Sequence, residues 1–184
     1  GESAQRAIAA NNFALLKQGD PDGEFWLPAM SDAPLRGFGG HEWFWEPDDE
    51  RLIYPLENLV DMYCRSVGHN STLILGLTPD DRGLLPVADV ERLQELGDAV
   101  RELFANPIAE FGSPAPGTVV ELAIPPNQSF DLVVIQEDIR HGERTRLYEL
   151  QVRLDGVWHT IDSGSCIGHK RIHRLVEPQH GELC

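Results

Sequence analysis

Aromatic and acidic residues are concentrated in one short stretch between Phe25 and Pro47. Its 23 residues, FWLPAMSDAPLRGFGGHEWFWEP, include three tryptophans, three phenylalanines, one histidine and two glutamates. Aromatic rings stack on the apolar faces of ring-shaped ligands, and a carboxyl that is desolvated by such rings can stay protonated and act as a general acid. The stretch is therefore a candidate site for a ring-shaped substrate.

Glu42 is the carboxyl in this stretch whose surroundings best suit proton transfer. It stands between His41 and two tryptophans, Trp43 and Trp45, and desolvation by these neighbours can raise the pKa of its carboxyl. The alternative is an exposed loop carboxylate. For the two tryptophans, the alternatives are stacking on a ligand and sealing the loop.

Arg36 precedes this aromatic segment in the same stretch. Its planar guanidinium can donate hydrogen bonds to a ligand, and the alternative is an ion pair with Asp32 that anchors the loop. The candidate site residues are thus one carboxyl, Glu42, and four binding residues, His41, Trp43, Trp45 and Arg36.

The composition restricts the possible partners. The 184 residues include 30 acidic and 15 basic ones, and the formal charge of −15 repels nucleic acid and anionic lipid surfaces. No apolar run approaches the roughly 20 residues that a membrane helix needs, so we expect a soluble protein without a membrane partner. Three scattered cysteines without zinc-ligand spacing predict neither a metal site nor a cofactor. The compartment stays open, a periplasmic or secreted bacterial location included.

The segments around the candidate residues predict alternating strands and helices. EFWLPAM predicts a first strand and STLILGL a second one that is buried on both faces, while PLENLVDMYCRSVGHN and PVADVERLQELGDAVRELF carry apolar residues at helical spacing. The loop from Ser31 to Tyr54, which carries the candidate residues, is long for a βα connection. It is either a functional loop at the carboxyl end of a strand or a surface Ω-loop packed on its own aromatic side chains.

From Thr118 onward, the pattern changes to short β-strands. TVVELAI, SFDLVVIQEDI, TRLYELQVRL, GVWHTID and IGHKRIHRL are rich in β-branched and aromatic residues and are separated by turn signals at His141–Gly142 and Asp155–Gly156. They predict an antiparallel β-sandwich. The predicted fold class is therefore α/β plus all-β, with an α/β part over 1–105, a Pro- and Gly-rich linker over 106–117 and the sandwich over 118–184.

Two blocks of the chain resemble one enzyme family. WLPAMSDAPLRG, HEWFWEP and LENLVDMYCRSVGHNSTLILGLTPDDRGLLPVADVERLQELGDAVRELF resemble, in this order, the C-terminal stretch of the catalytic barrel of glycoside hydrolase family 29, the α-L-fucosidases. FDLVVIQEDIRHGERTRLYELQVRLDGVWHTIDSGSCIGHKRIHRL resembles their C-terminal β-sandwich. The resemblance implies that 1–105 are the last βα units of a (β/α)8-type barrel. It implies a fucosylated oligosaccharide or glycoconjugate as the partner and leaves a homo-oligomer open.

The resemblance also implies retaining hydrolysis of α-L-fucosides by two carboxyls roughly 5 Å apart, an Asp nucleophile and a general acid/base. The nucleophile strand is expected upstream of Gly1, so this chain alone is expected to be inactive. Many relatives have a Glu where this chain has Met30, and a thioether cannot transfer a proton. Either Glu42 replaces that acid/base, or the chain is a non-catalytic carbohydrate-binding or structural module.

Overall fold

The computed structural model describes residues 29–40, 43–112 and 119–183. Its order of elements alternates strands and helices first and then continues with strands alone. The elements are β1 (Ala29–Pro34), a 3-10 turn (Glu50–Leu52), α1 (Leu56–Ser66), β2 (Ser71–Gly76), α2 (Val87–Leu103), β3 (Leu122–Ala123), β4 (Phe130–Ile135), a second 3-10 turn (Ile139–His141), β5 (Tyr148–Leu154), β6 (Val157–Gly164), β7 (Arg171–Gln179) and β8 (Glu182–Leu183). The described residues divide into two compact units, one over Met30–Pro107 and one that contains residues 108–112 and 119–183 together with Ala29.

The first unit contains a two-stranded sheet of β1 and β2. The hydroxyls of Ser31 and Ser71, at the starts of the two strands, are 2.7 Å apart. Just beyond their ends, the Leu35 N–H donates to the Gly76 carbonyl at 2.9 Å. The strands therefore run parallel, as a βαβ connection requires.

Both predicted helices of this unit are confirmed. α1 begins after Pro55, whose fixed φ suits a helix start, and α1 packs against both β2 and α2. The buried core of the unit is formed by Leu35, Leu59 and Leu96, and it includes partly buried side chains from both helices and β2. This core holds the carboxyl end of β1 and the two helices together.

Two details of the strand predictions are wrong. The first strand was expected to end at Met30, but pairing with β2 continues through Pro34, so the loop begins at Leu35. The residues 24–28 of that predicted strand lie outside the described part of the chain. β2 was expected to be buried on both faces, yet Thr72 is exposed and Ile74 is 41% exposed, because its side chains alternate between a packed and an open face.

The second unit contains antiparallel sheets. One has the strand order β3-β8-β5-β6 and the other pairs β4 with β7. The predicted turn at Asp155–Gly156 is confirmed: both residues have positive φ, 51° and 82°, as a two-residue hairpin requires. Buried side chains from both sheets, Phe130 and Val133 with Leu150 and Leu183, share one core.

The chain thus has a mixed α/β fold with small parallel and antiparallel sheets. Among the residues that the structure describes, no helix is both long and apolar enough to span a bilayer.

Candidate functional site

The long loop between β1 and α1 is closed on itself at its base. The Tyr54 N–H donates to the Leu35 carbonyl at 3.1 Å, and the Phe38 N–H donates to the Leu52 carbonyl at 2.9 Å. The rings of Phe38 and Tyr54 meet edge to face, with centroids 5.8 Å apart. These contacts bring the two ends of the loop together, as in an Ω-loop. The loop begins at the carboxyl end of β1.

Trp43 joins this loop to the carboxyl end of β2. The Thr78 hydroxyl donates to the Trp43 carbonyl at 3.2 Å. The indole lies so close to Gly76 that a Cβ at that position would be 3.0 Å from its Cζ3 atom. The absence of a side chain at Gly76 therefore makes room for the ring, while 44% of the Trp43 surface stays exposed.

The other predicted residues of the stretch have different surroundings. Phe44 is 81% exposed and Trp45 is half-buried. His41 and Glu42 lie outside the described residues. Met30, on β1, is 72% exposed, so the position at which relatives are expected to carry a carboxyl faces open space in this chain.

Arg36 lies in a buried ionic cluster with Asp49 and Asp89. Its Nε donates to Asp89 Oδ1 at 3.0 Å, its Nη2 donates to the same oxygen at 2.6 Å, and its Nη1 donates to Asp49 Oδ1. Arg36 is 2% exposed, and Asp89 is fully buried. The predicted ion pair between Arg36 and Asp32 is wrong. Asp32 is exposed on β1, and the guanidinium pairs instead with two carboxylates from other segments.

The electrostatics of the cluster keep Arg36 charged. Burial alone would lower the pKa of the guanidinium, but the hydrogen bond and negative charge of Asp89, together with the charge of Asp49, raise it above its ordinary value. Asp89 lies in the first turn of α2, where the helix dipole favours a negative charge. Three segments, the end of β1, the start of the 3-10 turn and the start of α2, are thereby linked.

Sequence reasoning missed both carboxylates of this cluster. Asp49 is one of three consecutive acidic residues, DDE, and reads as a solvated charge run. Asp89 reads as an ordinary acidic residue in a first helical turn. No local spacing connects Arg36 with a residue 53 positions away.

The loop after β2, at the same edge of the sheet, is organised by Asp80. Its Oδ1 accepts from the backbone N–H groups of Arg82 at 2.9 Å and Leu84 at 3.0 Å. Gly83 has a φ of 76°, which glycine adopts without strain. The segment TPDDRG therefore forms a compact turn.

The second unit contains a separate network of hydrogen-bonded polar side chains that the sequence did not reveal. The Arg171 Nε donates to the Tyr148 hydroxyl at 3.2 Å, and this hydroxyl is 2.7 Å from Nε2 of the buried His173. The His173 Nδ1 is 2.6 Å from Asp162 Oδ2. These hydrogen bonds join β7 to β5 and β6, which lie in a different sheet, and they therefore link the two sheets.

In the described ranges, no group of three or more His, Cys, Asp or Glu side chains is arranged to hold a metal ion. The two polar clusters above are instead satisfied by their own hydrogen bonds and ion pairs.

No protein-family model matches the chain. It is 47% identical to a candidate α-L-fucosidase from Bacteroides thetaiotaomicron, whose crystal structure it matches with a TM-score of 0.84, covering 94% of this chain and 40% of that one. It is 27% identical to α-L-fucosidase 1 of Arabidopsis thaliana, over 87% of this chain and 37% of that protein. A variant of a Ruminococcus gnavus GH29 fucosidase, in complex with fucose, is 25% identical with a TM-score of 0.74, covering 90% of this chain and 38% of that one.

The chain spans about 40% of the length of the relatives that it matches. Within that segment, the sequence and the backbone are both similar to the same relative. The chain is therefore related to the α-L-fucosidases of glycoside hydrolase family 29.

Proposed function

We propose that the chain is the C-terminal part of an α-L-fucosidase-like glycoside hydrolase that cleaves α-L-fucosides with retention of configuration. The observation that carries the proposal is the placement of Trp43, which packs on Gly76 at the carboxyl end of β2 and remains 44% exposed. In a (β/α)8 barrel, the loops at the carboxyl ends of the strands form the active site. An indole exposed there is suited to stacking on the apolar face of a sugar ring.

In this proposal, residues 1–105 supply the last βα units of the barrel, and residues 118–184 form a β-sandwich. The parallel pairing of β1 and β2 around α1 supports the first assignment. The core that combines side chains from both antiparallel sheets supports the second. A barrel needs further strands, because two strands alone leave open edges.

Retaining hydrolysis needs a nucleophile and an acid/base roughly 5 Å apart. We assign the acid/base role to Glu42, because Met30 cannot transfer a proton and Glu42 adjoins Trp43 in the sequence. Trp45 and His41 are proposed binding residues beside it. The nucleophile is expected from a further strand of the barrel, because the described residues contain one pair of parallel strands, and we therefore expect no turnover of an aryl fucoside by this chain alone.

The test is a chimera in which the matching segment of the Bacteroides thetaiotaomicron relative is replaced by this chain. We expect it to hydrolyse both aryl fucosides and fucosides with poor leaving groups. Trp43→Ala should raise KM. Glu42→Gln should depress turnover of the poor leaving groups far more than that of aryl substrates, because aryl leaving groups need little protonation. Glu46→Gln, a change at an exposed position of the same loop, is the matched control.

The thioether of Met30 favours one other candidate function, a non-catalytic carbohydrate-binding or structural module, because it cannot transfer a proton. A chimera that binds fucose without hydrolysing it, and that becomes active on Met30→Glu, would support this alternative. Equal and small effects of Glu42→Gln on both substrate types in an active chimera would exclude Glu42 as the acid/base.

A further inference from the structure

We infer that Arg36, Asp49 and Asp89 form an ionic clasp that positions the Trp43–Trp45 segment for ligand binding, so that they are positioning residues of the proposed sugar site. This inference rests on the proposed function for its ligand, but the clasp itself is a feature of the described residues. It replaces the direct binding role that the sequence predicted for Arg36.

The clasp closes the loop at a defined point. Arg36 follows β1 by two positions, Asp49 directly precedes the 3-10 turn, and their side chains meet although they are 13 positions apart. The backbone bonds from Tyr54 to Leu35 and from Phe38 to Leu52 join the same two limbs of the loop close to this contact. The ion pair therefore fixes where the two limbs of the loop leave the core.

Asp89 extends the clasp to a third element. Its carboxylate accepts hydrogen bonds from both Nε and Nη2 of Arg36. This arrangement fixes the orientation of the guanidinium plane as well as its distance. Because Asp89 belongs to the first turn of α2, the ion pair also anchors the base of the loop to the helix that follows β2. Trp43 packs at the end of the same strand, on Gly76.

The location of the clasp suits positioning better than general stability. A buried guanidinium with two carboxylates carries a desolvation cost that apolar residues of similar size would avoid, so ion pairs of this kind are weak evidence for stability. The segment that the clasp brackets exposes two aromatic rings, Trp43 and Phe44. Packing can hold such a segment only partly, and a clasp at its base limits its orientations.

The first experiment measures loop order without reference to activity. In this chain, Asp49→Asn keeps the side-chain shape but removes one charge of the clasp. We expect amide exchange at Phe38 and Tyr54 to accelerate at least about tenfold, while amides within α1 change less than about twofold. The control is Asp98→Asn on α2, which removes a carboxylate from an exposed ion pair with Arg101. Unchanged exchange at Phe38 and Tyr54 would overturn the inference.

The second experiment separates positioning from a loss of folded protein. In the chimera described above, Asp49→Asn should raise KM for an aryl fucoside several-fold, because KM does not depend on the fraction of enzyme that is folded. Asp98→Asn should leave KM unchanged. A fall in kcat with KM unchanged would reduce the clasp to a structural role and overturn the positioning claim.

A second variant covers the case in which Asp49→Asn folds poorly. Arg36→Lys keeps the charge but lacks the planar fork, so it should also raise KM and loosen the same two amides. If the unsubstituted chimera is inactive and binds no fucose, the proposed function fails, and amide exchange in this chain still decides whether the clasp orders the loop.

Discussion

The contact between Trp43 and Gly76 can be tested with a single methyl group. In Gly76→Ala, the new Cβ would lie 3.0 Å from Cζ3 and 3.5 Å from Cε3 of Trp43, and 3.6 Å from Cα of Pro34. Nonbonded carbon atoms prefer separations of about 3.5–4.0 Å, so one partner must move by about half an ångström. The strand backbone is held by the parallel pairing of β1 with β2, and we therefore expect the indole to move.

Stability should change little. Glycine within a strand costs roughly 0.5–1 kcal/mol relative to alanine, which favours the variant. The displacement of the indole opposes this gain, at about 0.5–1.5 kcal/mol for a side chain turned away from its preferred rotamer. The two contributions offset each other, so the free energy of unfolding in urea should stay within about 1 kcal/mol of the parent value.

The proposed site should respond more strongly than stability. A misplacement of about 1 Å can cost on the order of a hundredfold in activity, so half that shift corresponds to about tenfold in kcat/KM of the chimera. In this chain, the near-UV circular dichroism of the tryptophans should change. Gly112→Ala, where a Cβ meets no atom within 4 Å, is the control for the general effect of replacing glycine.

A double-mutant cycle identifies the atom pair. Trp43→Phe removes the six-membered ring edge of the indole that Gly76→Ala approaches, so the effects of the two substitutions on kcat/KM should be non-additive. The reasoning is refuted if the two effects add, or if Gly76→Ala lowers the free energy of unfolding by several kcal/mol while the tryptophan spectrum stays unchanged.

Further predictions concern the polar network of the second unit and the proposed acid/base role of Glu42. Tyr148→Phe removes the hydroxyl that serves both Arg171 and the buried His173, and should lower the free energy of unfolding by about 1–3 kcal/mol, measured by urea denaturation with Tyr63→Phe as the control. Partial burial opposes ionisation of Asp162, but hydrogen bonds from His173 and the Ser163 N–H outweigh it and lower the pKa of the carboxyl. Its contribution to stability is therefore present above the unfolded pKa of about 3.9 and is lost as the pH falls through the folded value. Asp162→Asn should consequently flatten the acid limb of the stability profile, and an unaltered acid limb would contradict this assignment. Added azide should partly rescue the deglycosylation step of Glu42→Gln in the chimera, and absence of rescue would count against the acid/base role.

The helices were predictable from sequence because their signals are local. The apolar stripe of α1, with Pro55 before it, occupies about three turns and admits one reading, and the structure agrees. The extension of β1 was not predictable in the same way, because Ser31, Asp32 and Pro34 are poor strand formers. These residues join the strand because β2 lies beside them, as the contact between Ser31 and Ser71 illustrates.

The candidate site shows the same division between local and remote information. The aromatic loop was found from its composition, since Trp43 and Phe44 stand together in one short stretch. The clasp could not be found, because its members lie 13 and 53 positions from Arg36 and each has an ordinary local explanation. Burial decides between those explanations: an arginine that is 2% exposed must satisfy its charge inside the protein, and only the fold specifies which carboxylates reach it. The burial of Arg36 therefore favours the proposed role in ordering the loop over direct contact with a ligand.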